Sequence, residues 1–518
     1  MDQHSVFKRW IPDQFILPLL ILSLFPHMML LCIFSMNSTF SASFLDIDTD
    51  DIQFLFSLAY ATIVCGLFIN VRLFQFFNIR SFVLTMTIIN IVILLLMSTT
   101  RNLNLLILLR LIQGPAMLFE GCILLPLIIS RIKSDHSRLI AFSFLYGLML
   151  TGDKFATSIV KFAIENFSHQ MIYFIIIGLH LLTLFIFLLI TNQNRMFSKK
   201  PLYQLNLGGI FSMLICLIAG AYVLVYGKKL YWFESKNIIT AFVLCVTFAG
   251  IFLWRERTAK RPLFHFEIFK SKRVWTGLTL FIFFYLVRSS LGNIYHVMGR
   301  VWNWPWYYVL KIQYFNVAGS ITGIVIAFFL MRFKVKFRVI FFIGFGLLSI
   351  SMLCFSYLFY PDTRQILVGG SLFIEGLGQG LLFCPLVFYM LGSVHPSITG
   401  SVSQSGTAVR FWTNTIGFSV MQNAVLYLTT KHQFLMTKNI DVTNSYFQEE
   451  WDKLFGKFNT LHLTNDTIQL TVGSLKARLY NQALLVANIE IFRTLFVVSL
   501  LVALFILIFP MLRSKLKF

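Results

Sequence analysis

The chain alternates long apolar runs with short polar segments over nearly its whole length. A helix crosses the hydrocarbon core of a bilayer with about 20 apolar residues. By that rule the pattern predicts fourteen spans, at about 14–35, 52–72, 81–99, 104–130, 138–162, 169–191, 206–225, 238–254, 274–297, 306–331, 339–359, 366–391, 399–428 and 491–512. The eighth is the shortest, which leaves counts of twelve or thirteen open. The first reads as a retained span, because no small-residue cleavage site follows it and another span begins near Phe54. One long segment, about 429–488, lacks a span-length apolar run. Within it Phe447, Trp451, Leu454, Phe455 and Phe458 recur at helical spacing, with Glu449, Glu450, Asp452 and Lys453 on the other faces. That pattern predicts an amphipathic helix fit to lie on a membrane or to dock a partner.

Composition sharpens this picture. Of 518 residues, 57% are hydrophobic and 12% charged, against roughly 25% charged in soluble domains. A water-soluble enzyme is excluded. The net charge of +22 invites a nucleic-acid reading, but the basic residues sit in the connections between spans, where positive charge orients a membrane protein. Nucleic acid is therefore not an expected partner; membrane lipid is. Lys8, Arg9, Arg72, Arg80, Arg131, Lys133, Arg138, Arg195, Lys199 and Lys200 fall on one side, joined by the cluster from Arg255 to Arg273, by Arg332–Arg338, and by Arg513, Lys515 and Lys517. The first loop on the other side carries Asp46, Asp48, Asp50 and Asp51. This asymmetry predicts a multi-pass membrane protein with both termini cytoplasmic and the 429–488 segment external. The seven cysteines all lie in apolar runs without ligand spacing, so neither a disulfide framework nor a metal site is expected. No P-loop, GxSxG or HExxH sequence occurs, so no catalytic residue and no cofactor is nominated.

Two spans echo one another. Span four reads Gln113-Gly114-Pro115 through Glu120-Gly121-Cys122 to Pro126, and span twelve reads Glu375-Gly376-Leu377-Gly378-Gln379-Gly380 to Cys384-Pro385. The basic turn 332–338 after span ten likewise echoes 72–80 after span two. An offset of eight helices fits two six-helix halves with two helices inserted between them, the parallel-repeat plan of major facilitator transporters. The expected domains are residues 1–200, an inserted pair over 201–272, and residues 273–518 carrying the external segment. The fold class expected is thus an all-α polytopic membrane protein of two six-helix bundles plus two central helices.

Specific residues strengthen the resemblance. Arg110-Leu-Ile-Gln113-Gly114 is similar to the RxxQG motif of major facilitator antiporters. Glu256 with Arg261-Pro262-Leu263 and Phe269-Lys270 resembles the stretch after helix eight of the fourteen-span drug:proton antiporters. Gly376, Gly380, Pro385, Gly400, Ser405, Arg410 and Gly417 resemble their helices twelve and thirteen, and Asn481-Gln482-Ala483 their approach to the last helix. Taken in order along the chain, these motifs resemble the EmrB-type branch. The resemblance implies export of small amphiphilic compounds against protons, and an adaptor protein in the periplasm. The chain also departs from the pattern: Val71–Arg80 lacks the glycines and acid of the usual loop after helix two, the first span has no acid, and Gly152-Asp153-Lys154-Phe155 stands where the antiporter signature has Gly-Pro. Uptake of an organic solute, and a non-transporting sensor or assembly factor on a degenerate transporter fold, remain alternatives.

Charge inside a span costs about 2.5–3.5 kcal/mol, and this chain keeps Arg110, Glu120, Asp153, Lys154, Arg288, Glu375 and Arg410. Depth along antiparallel spans groups Asp153 with Arg110, Glu120 and Lys154 as a proton-coupling cluster, and Arg410 with Glu375 as a second one. Adjacent Asp153 and Lys154 point about 100° apart and need not pair. Each of these acids also admits a bland reading, an ion pair holding helices together. Arg288 is expected to reach the outer interface by snorkelling, and His27 and His180 to be packing or interfacial residues. Gln379, Gln404, Asn414 and Asn423 are expected on a mainly apolar substrate cavity, or else in ordinary interhelical hydrogen bonds.

Overall fold

The computed structural model describes residues 6–33, 38–195, 199, 201–202, 206–259, 262–395, 398–438, 440, 445–460 and 466–509. Arg261, Lys200, Arg513, Lys515 and Lys517 lie outside the described residues. The helices, in order, are α1 (Asp13–Cys32), α2 (Ser38–Leu45), α3 (Thr49–Phe76), α4 (Ile79–Thr99), α5 (Leu103–Cys122), α6 (Leu124–Arg131), α7 (Ser137–Asn166), α8 (Gln170–Ile190), α9 (Leu207–Tyr226), α10 (Lys236–Thr258), α11 (Lys272–Ser289), α12 (Leu291–Arg300), α13 (Trp306–Arg332), α14 (Phe337–Leu358), α15 (Gln365–Leu391), α16 (Thr399–Lys438), α17 (Ser445–Thr460) and α18 (Thr467–Ile508). Among the described residues no strand forms, only an isolated bridge between Phe7 and Thr191.

Among the described residues thirteen helical stretches are long and apolar enough to cross a membrane. Two are interrupted. Pro126 clashes with the carbonyl four residues back, at Cys122, and so ends α5 and starts α6 there. The α11/α12 break falls at Ser290, in a Ser-Leu-Gly sequence of the kind that relaxes helices. The remaining expected span is α16, which is long enough but too polar to count among the thirteen. Its Ser401, Ser405, Thr407, Arg410, Thr413 and Thr415 are buried against neighbouring helices rather than turned to lipid.

The expected boundaries are corrected around the 429–488 segment. α16 runs 40 residues and α18 runs 42, about 60 Å each against a core of about 30 Å. Much of the 429–488 segment is therefore helix projecting beyond the membrane, and Asn481-Gln482-Ala483 lies inside α18 rather than before it. The expected amphipathic helix is α17. It packs on α18 with Leu454 buried and Phe447, Trp451, Phe455 and Phe458 half-buried, and Glu450 pairs with Arg478 of α18. Its apolar face is thus already occupied within the chain.

In the interior, α3 packs on α5, α4 on α8, α13 on α15 and α14 on α18. The two helices of the echoing spans, α5 and α15, thus pack on the helices of spans two and ten. Glycine makes both contacts close. A Cβ on Gly114 would lie 1.9 Å from Thr62 Oγ1, and one on Gly376 would lie 2.2 Å from the Asn316 carbonyl. The first six spans meet the last six where α7 crosses α13 and α15 and where α3 crosses α16. The inserted pair is peripheral: α9 bridges α3 and α16, while α10 packs on α9 and buries only Ile238 and Glu256. The acidic first loop anchors this pair, since Asp51 accepts from Tyr226 (2.5 Å) and Asp48 pairs with Lys229. That pairing holds the Lys229 ammonium above its usual range. Glu256 explains the motif around it: its carboxylate accepts from Asn206 Nδ2 (2.8 Å) and from the backbone N–H groups of Leu263 (2.8 Å) and Phe264 (3.1 Å), pinning the basic connection to the helix end.

Candidate functional site

The buried charges sort into four groups, and these are not the groups that depth alone suggests. Arg110, on α5, donates to the Leu30 (3.0 Å) and Leu31 (3.0 Å) carbonyls, to the Leu55 carbonyl (3.3 Å) and to Gln113 Oε1 (2.6 Å). Leu30 and Leu31 occupy the last turn of α1, where carbonyls lack intrahelical partners and a cation is favoured. Arg110 is therefore a clamp joining α1, α3 and α5, with Gln113 setting the guanidinium plane.

Glu120, also on α5, faces away from Asp153. Its Oε1 lies 2.6 Å from Thr87 Oγ1, its Oε2 accepts from Asn90 Nδ2 (2.6 Å), and His27 and His180 approach it from α1 and α8. The sequence reading treats these histidines as packing residues and misses their convergence on an acid.

The third group lies between the two sets of spans. Asp153 and Lys154 of α7 do pair, at 2.5 Å, despite being neighbours in sequence. Lys154 also sits 5.4 Å over the Tyr295 ring of α12. From the far side Arg288 of α11 turns inward, not out to the interface, and donates to Gln379 Oε1 (3.3 Å); Gln379 in turn donates to Glu375 Oε1 (3.0 Å). Asp153 lies within electrostatic reach of Lys154, Arg288 and Tyr295, and Glu375 within reach of Arg288, Lys154 and Tyr295. One polar centre thus joins α7 of the first six spans to α11, α12 and α15 of the last six.

Arg410 stands apart from Glu375. It donates to the Gly406 carbonyl (3.2 Å) and Thr407 Oγ1 (2.6 Å), lies 5.8 Å from the Phe383 ring, and has Tyr60, Tyr146 and Tyr285 as electrostatic neighbours. Its Nη1 is buried without a hydrogen bond. With Tyr146, Phe281, Met390, Val402 and Gly406 it lines a narrow cleft of about 10 Å³, room for about one water molecule. A typical drug-binding pocket is far larger, about 300–1,000 Å³, so in this conformation the cleft is closed to an organic molecule. Gln379, Gln404 and Asn414 are not on the wall of this cleft. Gln379 belongs to the polar centre, Gln404 donates to the Leu67 carbonyl of α3 (3.3 Å), Asn414 is half-buried, and Asn423 accepts from Trp232 (3.4 Å). Contacts join the two sets of spans along α7: Ser143 meets Cys384 at 3.6 Å, and Ser158 meets Tyr314 about four turns further along. Gly152 lies buried immediately before the Asp153 pair, and Gly380 and Pro385 are buried in α15.

An all-helical membrane protein in which paired helical sets enclose a cleft, joined across their interface by buried charge, has the architecture of a major facilitator transporter. No family model matches the chain. In sequence it is similar to Multidrug resistance protein 3 of Bacillus subtilis (22% identical over 261 residues, 49% of each chain). It is also similar to the Multidrug export protein EmrB of Escherichia coli K12 (22% over 273 residues, 51% of each) and to the Probable multidrug resistance protein EmrY of that strain (22% over 428 residues, 80% of this chain and 79% of that one). The match spans about half the length of the first two. Among solved structures, a peptide transporter POT in complex with sulfate aligns over 99% of this chain and 98% of its own, with TM-score 0.59 and 13% identity. The proton:xylose symporter XylE aligns over 81% and 90%, with TM-score 0.53 and 12% identity. The chain has the major facilitator fold and is a distant sequence relative of multidrug transporters.

Proposed function

We propose that this protein is a secondary active transporter that exports small amphiphilic organic compounds across the bacterial inner membrane, driven by protons and working by alternating access. One observation carries the proposal: the Asp153–Lys154 pair, with Lys154 over the Tyr295 ring, stands beside the hydrogen-bonded chain Arg288–Gln379–Glu375 and within electrostatic reach of Arg288. Rocking of two bundles about a midplane site must remake contacts at their interface. Charge placed there makes the balance of conformations depend on protonation, because a buried acid and a buried base each favour different neighbours when charged and neutral. The aromatic side chains around Arg410 would supply apolar surface with one cationic group, a chemistry suited to amphiphiles, once rocking of the bundles widens the closed cleft. The sequence relatives are multidrug export and resistance proteins, which favours export. Uptake is the second reading, favoured by Asp153 and Lys154 standing where the antiporter signature is expected.

In proteoliposomes, an imposed pH gradient should drive uphill movement of a lipophilic cationic dye, and a protonophore should abolish it. Movement only down the dye's own gradient, unaffected by pH, would contradict the proposal. A periplasmic adaptor belongs to the same reading. Because the apolar face of α17 is turned onto α18, docking would use the exposed Glu449, Asp452 and Lys453. Reversing these three charges should remove adaptor co-purification; unchanged co-purification would exclude that face.

A further inference from the structure

The Glu120 group has a donor set and a geometry that transport does not account for. His27, Glu120 and His180 come from α1, α5 and α8, all three are buried, and their ligand atoms lie within 4.8 Å of one another. His27 Nδ1 is 3.4 Å and His180 Nε2 3.9 Å from Glu120 Oε2. A tetrahedral zinc-class ion with bonds of about 2.0–2.1 Å sets its ligand atoms about 3.4 Å apart. The first separation meets that value and the second needs a shift of about half an ångström.

Three further features point to a cation. His180 Nδ1 lies 2.9 Å from the Ile176 carbonyl, and an Nδ1–H donated there leaves Nε2 with its lone pair toward the carboxylate. Two lone pairs facing each other repel unless positive charge lies between them. Such a carbonyl contact is also how proteins fix the tautomer of a metal-binding histidine. Second, both ring nitrogens of His27 and Nε2 of His180 are buried without a hydrogen bond, although buried polar groups are nearly always partnered. Third, the carboxylate is held from behind by Thr87 and Asn90, both at 2.6 Å, while among the described residues no Lys or Arg pairs with it. A buried carboxylate costs several kcal/mol without a counter-charge.

We infer that His27, Glu120 and His180 form a binding site for one transition-metal dication of the zinc class, which ties α1, α5 and α8 together inside the first six spans. Two imidazoles and a carboxylate suit Zn²⁺ or Co²⁺ rather than Mg²⁺ or Ca²⁺, which prefer all-oxygen shells. Thr87 and Asn90 act as positioning residues for the carboxylate. The site is independent of the proton-coupling proposal, since it shares no residue with the Asp153 centre.

The test is titration of the purified full-length protein with Co²⁺ alone, read by its ligand-field absorption and by metal content per chain. One Co²⁺ per chain with a tetrahedral spectrum, displaced by Zn²⁺ and not by Mg²⁺, is expected. His180→Gln and Glu120→Gln should each weaken binding at least about tenfold, while His432→Gln, far off on α16, should not. His180→Cys offers a replacement ligand, so it should keep Co²⁺ and add a thiolate charge-transfer band. Failure of the wild-type protein to hold stoichiometric Co²⁺ overturns the inference. So does equal binding by wild type and Glu120→Gln, which would mean an adventitious ion only. The wild-type titration decides even where a variant fails to fold, and loss of the site leaves the transport assay free to succeed or fail separately.

Discussion

Replacing Gly380 by Ala should loosen the close crossing of α13 on α15. A Cβ built there lies 2.3 Å from the Ser320 carbonyl oxygen, 2.8 Å from Ile324 N and 3.0 Å from Gly323 C. All three are backbone atoms, so no side chain can swing aside. Ordinary contact begins near 3.4 Å, and the helices must part by about 1 Å. Overpacking of this kind costs about 1–3 kcal/mol. The same displacement stretches the Asn316 Nδ2 bond to the Leu372 carbonyl, now 3.1 Å, beyond hydrogen-bonding range, at a further cost of about 1 kcal/mol. Together the loss is about 2–4 kcal/mol. The control is Gly370→Ala on the same helix, where an added Cβ meets nothing within 4 Å; there, better helix propensity should leave stability unchanged or slightly higher. Thermal unfolding of both variants in one detergent, followed by intrinsic tryptophan fluorescence, gives the comparison. Gly380→Ala should melt several degrees below wild type and Gly370→Ala should not. Equal melting of the two would refute the close crossing, and with it the packing explanation for the glycines shared with the antiporter pattern.

Arg110→Lys keeps the charge but replaces a planar fork by a point donor. It should leave carbonyls at the end of α1 unsatisfied and lower stability by about 1–3 kcal/mol, seen as a reduced Tm; an unchanged Tm would mean the clamp is dispensable. A cysteine at Glu449, which is exposed on α17, should react with an impermeant thiol reagent in intact spheroplasts; labelling only after lysis would reverse the proposed orientation. His169, in the connection between α7 and α8, is lowered to about 4 by burial and by Arg101, against about 6.5 in the unfolded chain. The unfolded state thus takes up a proton that the folded state refuses. The neutral ring stabilises fully above pH 6.5 and progressively less as pH falls toward 4. The Tm advantage of wild type over His169→Gln should shrink across that window, and a pH-independent difference would show that the histidine contributes by packing alone, through its 3.8 Å stack on Phe44.

Hydropathy made most of the architecture legible because the bilayer imposes one length on every span. It misplaced the ends of α16 and α18 for a physical reason: neither helix meets a proline or a glycine stop where it leaves the apolar core, so both continue into water. The amphipathic pattern of α17 was readable, but its partner was not, since α18 was not expected to extend beneath it. Buried charges were readable as residues, since each is costly in a span. Their grouping was not. Depth alone put Glu120 beside Asp153, but the side a residue faces depends on the rotation of its helix, and α5 turns Glu120 toward α4 and α8 while α7 turns Asp153 toward α12. Arg288 looked free to snorkel because Gln379 and Glu375 lie about ninety residues on in sequence. His27 and His180 carry no motif at all. Only the meeting of α1, α5 and α8 reveals them.

Whether the polar centre couples protons to transport is tested most directly by Asp153→Asn in proteoliposomes. The amide keeps the size of the carboxyl group and removes its titration, and leaves Lys154 a neutral oxygen to bond. The variant should fold, bind substrate and exchange it across the membrane at the wild-type rate, while losing accumulation driven by a pH gradient. Accumulation at the wild-type level would contradict the role assigned to Asp153, place the pair among structural contacts between helices, and shift coupling to Glu375.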